Sequence, residues 1–190
     1  MNRLRRYWYQ LMISNNVNLV HKRRMTPASR LVITALLGSL AAILQSAGNL
    51  IPGIGLFISP FSTLPIFFAI CYSIREGILS YILTIFLLFI IEPSELIVFP
   101  FTTGLLGIAL GVSFLQFKRR IWIVSFSALC LLIGIIIVLD IFHFPVLGPT
   151  VHTIMDIKVI TLIFILSFLY CWIYAGLCRI MLNRVYKAWS

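Results

Sequence analysis

The chain is 190 residues long, 61% hydrophobic and only 11% charged, with a mean hydropathy of +1.07. Soluble domains carry about 25% charged residues, so this composition excludes an ordinary water-soluble fold. The net charge of +10 would point to nucleic acid in a soluble protein; in a chain this apolar it reads as a topology signal, and no nucleic-acid partner is expected.

Residues 1–29 form a basic tail. Leu4, Tyr7, Trp8, Leu11 and Met12 recur at helical spacing, with Arg3, Arg5, Arg6 and Gln10 around the other side. That pattern fits a helix lying in a membrane surface, and a disordered basic tail is the alternative. The basic start lacks an apolar core long enough for a signal peptide, so the tail is expected to remain on the mature protein.

Crossing a bilayer as helix takes about 20 apolar residues. Apolar runs at Leu31 to Ala47, Phe57 to Ile74, Gly77 to Ile91, Leu96 to Phe117, Ile121 to Leu139 and Val159 to Cys178 predict six spans. The expected fold is an all-α, polytopic six-helix bundle over residues 30–180, followed by a second basic tail over 181–190. Cys71, Cys130, Cys171 and Cys178 fall within or beside these runs and are read as reduced and structural.

Lys and Arg are enriched in cytoplasmic loops. With the amino terminus inside, 14 of the 15 basic residues fall in inner segments, Lys158 alone being outside, and four of the five carboxylates, Glu92, Glu95, Asp140 and Asp156, lie on the opposite side. Both termini are therefore expected in the cytoplasm of a cell whose cytoplasmic membrane the chain crosses. A four-span alternative, with the second and third segments re-entrant, would leave Arg75 and Glu76 within the membrane, a costly placement.

Seven of the eight prolines, Pro52, Pro60, Pro65, Pro93, Pro100, Pro145 and Pro149, lie in the outer connections or outer parts of spans. Proline ends regular helix, and irregular backbone at membrane depth survives only where protein or a water-filled cavity satisfies it. An outer cavity is expected, with the apolar connection Asn49 to Pro60 folded over the helix ends as a lid or plug. Inner connections are terse. In the first span Ala35, Gly38, Ser39, Ala42 and Ser46 share a small-residue face, and Gly104, Gly107 and Gly111 do so in the fourth; such faces permit close helix contact, within the chain or with a partner.

These features resemble the substrate-binding S component of an energy-coupling factor (ECF) transporter, a family of small prokaryotic six-helix proteins that capture vitamins and related nutrients. The likeness rests on Leu31-Val-Ile-Thr-Ala-Leu-Leu-Gly-Ser-Leu-Ala-Ala42, the connection Ile51-Pro-Gly-Ile-Gly55, Pro65, the hairpin Ser73-Ile-Arg-Glu-Gly77 and the run Thr103-Gly-Leu-Leu-Gly-Ile-Ala-Leu-Gly111. It implies a vitamin-like ligand held near the outer end, and a coupling transmembrane subunit with two ATPases as partners. By resemblance Ala35, Ser39 and Ala42 would contact the coupling subunit. No phosphate-binding loop occurs, so energy would come from the partner, and neither a cofactor nor a catalytic role is called for.

Polar groups of the outer side and an aromatic neighbour make the candidate ligand site: Asn49, Phe57, Glu92, Glu95, Thr102, His143, His152, Asp156 and Lys158. Phe61, Phe99, Phe101, Phe142 and Phe144 would add aromatic walls, suiting a ring with positive charge or several donors. Asp140, His143, His152 and Asp156 could alternatively be read as a metal cluster, but follow no recognised spacing. Rival functions are a non-enzymatic envelope assembly or structural protein, which needs no site, and a stand-alone ion-coupled carrier, which would need charges deep within the spans.

Overall fold

A computed structural model describes residues 26–51, 53–141 and 157–189. The first helix, α1 (Pro27–Leu50), starts where Thr26 accepts a 3.3 Å hydrogen bond from the Ser29 amide and Pro27 occupies the first turn, a position that wants no amide donor. The chain then turns through Gly53, whose φ of 80° is left-handed. It continues as α2 (Gly55–Ile58), a 3-10 turn (Ser59–Ser62) and α3 (Thr63–Tyr72). Ser73 alone, fully extended, reverses the chain into α4 (Ile74–Ile91). The remaining helices are α5 (Glu95–Phe101), α6 (Thr103–Gln116), α7 (Arg120–Asp140) and α8 (Ile157–Trp189).

The described residues are helical with no strand, and six segments are long and apolar enough to cross a membrane: Pro27–Leu50, Gly55–Tyr72, Ile74–Ile91, Glu95–Gln116, Arg120–Asp140 and Val159–Val185. The bundle is apolar on its outside as well as its inside. Leu36, Ile43, Phe86, Phe89, Ile90, Ile133 and Ile173 are exposed, while Thr34, Gln45, Ser62, Ser80, Thr84, Ser127 and Ser167 are buried. Water would penalise such an exterior at about 25 cal/mol per Å², whereas hydrocarbon does not. For brevity the end carrying Glu92 and Glu95 is called the acidic end and that carrying Arg75 and Lys118 to Arg120 the basic end.

Three departures from the sequence expectation have physical causes. The connection from Asn49 to Pro60 is not a long lid. α1 runs on to Leu50, and most of the rest is short helix continuous with the second span, because Gly55 sits against the Ala47 carbonyl where any Cβ would collide. The fourth span is broken: Pro100 lies inside α5, and Thr102 leaves helical geometry with φ −115° and ψ −94° before α6 begins. The sixth helix runs through residues 181–189 instead of ending in a separate tail.

α1 packs on α4, α3 on α6, and α8 on α7, with α3–α4 and α6–α7 contacts joining the pairs. One core cluster, including Phe67, Leu110, Phe114, Val124, Leu131, Cys171 and Tyr174, joins α3, α6, α7 and α8; a second, Ala41, Ala42, Ile66, Leu88 and Phe99, joins α1, α3, α4 and α5. The glycines of the fourth span serve this internal packing: Gly107 meets Ile66 and Gly111 meets Ile70.

Candidate functional site

At the acidic end, α1 presents Gln45 and, one turn on, Asn49 towards the start of α5. Gln45 is 2% exposed and makes a hub. Its Oε1 accepts from Ser62 Oγ at 2.6 Å and from Thr103 Oγ1 at 2.8 Å, and its Nε2 donates to Glu95 Oε2 at 2.6 Å. Since a carboxylate only accepts, the amide nitrogen has to face Glu95. Asn49 Nδ2 donates to Glu95 Oε1 at 3.1 Å and to Ser94 Oγ at 2.8 Å, and Ser94 Oγ donates to Glu92 Oε1 at 2.7 Å. Four elements are thereby tied together through one carboxamide.

Beside this network lies a cavity of about 330 Å³, within the range that holds small organic ligands. Gln45, Ser59, Glu95, Thr102 and Thr103 line one part, Ser167 and Tyr170 of α8 another, and Leu56, Val98, Leu131, Ile135, Ile163 and Leu166 supply apolar wall. The break at Thr102 helps to shape it. Thr102 Oγ1 donates back to the Val98 carbonyl at 2.7 Å, Tyr81 caps the Pro100 carbonyl at 3.0 Å, and Gly134 lets α7 approach the Phe101 carbonyl without a side chain between them. Tyr170 is stacked on Tyr174 with ring centroids 4.5 Å apart.

Of the residues singled out from sequence, Glu95 and Thr102 line the cavity, and Asn49 steadies Glu95 from outside it. Glu92 is one step further out, tied to Ser94. Phe57 is 79% exposed and outside the lining, because α2 turns that face outward. The other phenylalanine walls fare similarly, Phe61 being exposed and Phe99 buried behind the cavity in a stack on Tyr81. His143, His152 and Asp156 lie outside the described residues, as do Phe142 and Phe144; Lys158 belongs to the first turn of α8, with its side chain outside the description. Asp140 ends α7, exposed.

The sequence reading did not select Gln45, Ser62 or Ser167. A glutamine within the apolar run of the first span was the available signal, since an uncharged amide there needs partners as much as a charge would.

At the basic end, Ala35 is exposed and Ser39 half-buried, its hydroxyl returned to the Ala35 carbonyl at 2.8 Å. Ala42 is fully buried in the second core cluster, which withdraws it from any surface contact: the small face of α1 is split, Gly38 and Ala42 serving α4 and the core while Ala35 and Ser39 face out. Further along this seam, Glu76 is 8% exposed and accepts a 3.0 Å bond from Thr34.

The arrangement defines a class, the multi-pass α-helical membrane protein with a cavity at one end. No family model, curated protein or solved structure matches the chain.

Proposed function

We propose that the protein is a substrate-capture subunit of ECF S-component type, set in the cytoplasmic membrane of a prokaryotic cell with its acidic end outward and both termini in the cytoplasm. It takes up a small, water-soluble, vitamin-like nutrient and is energised by a coupling transmembrane subunit bound to two ATPases. The observation that carries this reading is the 330 Å³ cavity at the acidic end, built where Pro100 and Thr102 interrupt the fourth span and organised by the Gln45–Glu95 network. A purely structural membrane protein has no need of a broken span beside a cavity, or of a carboxylate held at its edge. The charge partition supports the orientation. Ala35, exposed, and Ser39, half-buried, on the basic half of α1 are the remaining candidates for the coupling contact.

Purification of the tagged full chain from native membranes in mild detergent, with mass spectrometry of co-purifying proteins and small molecules, tests the proposal. A coupling subunit, two ATPases and a nutrient are expected. Envelope-assembly proteins without a small molecule would overturn it. Ala35→Trp is expected to abolish recovery of the coupling subunit while leaving small-molecule retention unchanged; unchanged recovery would remove this face from the interface.

A further inference from the structure

The hydroxyl of Ser167 sets this cavity wall apart. Ser39, Thr84 and Thr102 return their hydroxyls to the carbonyl one helical turn back, at 2.7–2.8 Å, the usual recourse for a hydroxyl inside a helix. Ser167 does not. It is 2% exposed, its Oγ is buried without a hydrogen-bond partner, and the residue lines the cavity. A buried hydroxyl without a partner costs free energy that a bound polar group would recover.

Glu95 faces the same cavity from a different element. α8 packs on α7, whereas Glu95 is held by α1, so Glu95 and Ser167 border the cavity on separate walls with Leu131 and Ile135 of α7 in the lining as well. Gln45 and Asn49 use part of the acceptor capacity of the Glu95 carboxylate, which has about four lone-pair sites. Among the described residues the lining contains one carboxylate and no Lys, Arg or His. Against the described lining residues, an anion would face Glu95 without compensation.

Resting on the reading of this cavity as the nutrient site, we infer that it takes an uncharged or singly cationic organic molecule with a hydrogen-bond-donating end seated on Glu95, an apolar body, and a second polar group received by Ser167, and that it rejects carboxylate- and phosphate-bearing nutrients.

The test uses Ser167→Cys in the full chain, in native membranes. Three methanethiosulfonate probes are applied: a trimethylammonium-ethyl form, a sulfonato-ethyl form and the small neutral methyl form. Modification is read by peptide mass spectrometry at position 167 and normalised to each probe's reaction with a free thiol. The cationic probe is expected to react at least about tenfold faster than the anionic one, and adding Glu95→Gln to shrink that ratio to within about threefold.

Equal rates, a faster anionic probe, a ratio indifferent to Glu95→Gln, or no modification even by the methyl probe would each overturn the inference. Extraction of the wild-type protein separates this failure from that of the nutrient reading. A retained carboxylate or phosphate nutrient would overturn the ligand class and leave the capture reading standing. Phospholipid as the sole retained molecule, with the cationic preference intact, would overturn the capture reading and leave the charge selectivity of the cavity.

Discussion

At the basic end α3 turns into α4 through the single residue Ser73, and Ile70 is held between Gly77 and Gly111, each too close for a side chain of its own. At the acidic end the reversals run through Gly53 and through Glu92 to Ser94, the fourth span is broken, and side-chain amides, hydroxyls and a carboxylate link the elements across a cavity. Dry backbone-close packing needs only glycine and an apolar neighbour, and it leaves no space. Polar linkage holds helix ends apart at hydrogen-bond length and leaves room beside them. Glycine also closes backbones together at the acidic end, at Gly55 and Gly134, so the contrast teaches that capacity comes from added polar bridges and not from giving up glycine contacts.

Substitutions can break or sharpen that contrast. The largest effect is expected from Gly111→Leu, which drives a side chain into Ile70; overpacking of this kind costs about 3 kcal/mol, and thermal unfolding in detergent should show loss of a cooperative transition or of monodisperse protein. Gln45→Leu comes next, because it leaves the Ser62 and Thr103 hydroxyls and part of the Glu95 carboxylate without their partner. About 2–3 kcal/mol of stability should be lost, with loss of small-molecule retention. If Gln45→Leu unfolds like wild type, the network is not what organises the acidic end.

Thr34→Val removes the bond to Glu76 at the basic end, where Gly77 and Gly111 remain packed on Ile70. About 1 kcal/mol is expected from the same melt, and ligand retention should stay as it was. Glu92→Gln should do least, within about 0.5 kcal/mol, since Glu92 is outside the cavity and its partner Ser94 is exposed. A loss of ligand retention as large as that from Gln45→Leu would move the site outward to Glu92.

Where the helices lie was legible from the residues themselves. Six apolar runs became six segments able to cross a membrane, the first five within a few residues at each end and the sixth running on past Cys178 to Val185, because in hydrocarbon a helix satisfies its own backbone and needs only length and apolarity to be recognised. The site was less so. Glu95 and Thr102 could be picked out as polar groups near the ends of apolar runs, yet Phe57, chosen by the same proximity, points away from the cavity. Chain distance from Pro60 says nothing of which way α2 turns.

By itself, then, the sequence determined an all-α chain with six segments able to cross a membrane and the separation of basic from acidic connections, since both follow from the local balance of apolar and charged side chains. Only the tertiary structure decided that Gln45 meets Ser62, Glu95 and Thr103, that Ser167 lines their cavity from α8, and that Ala42 is enclosed while Ala35 is not. These depend on the rotation of each helix about its axis. In a segment apolar on every side that rotation leaves little trace in the periodicity of the sequence; it is set by the glycine contacts and hydrogen bonds made between helices distant along the chain.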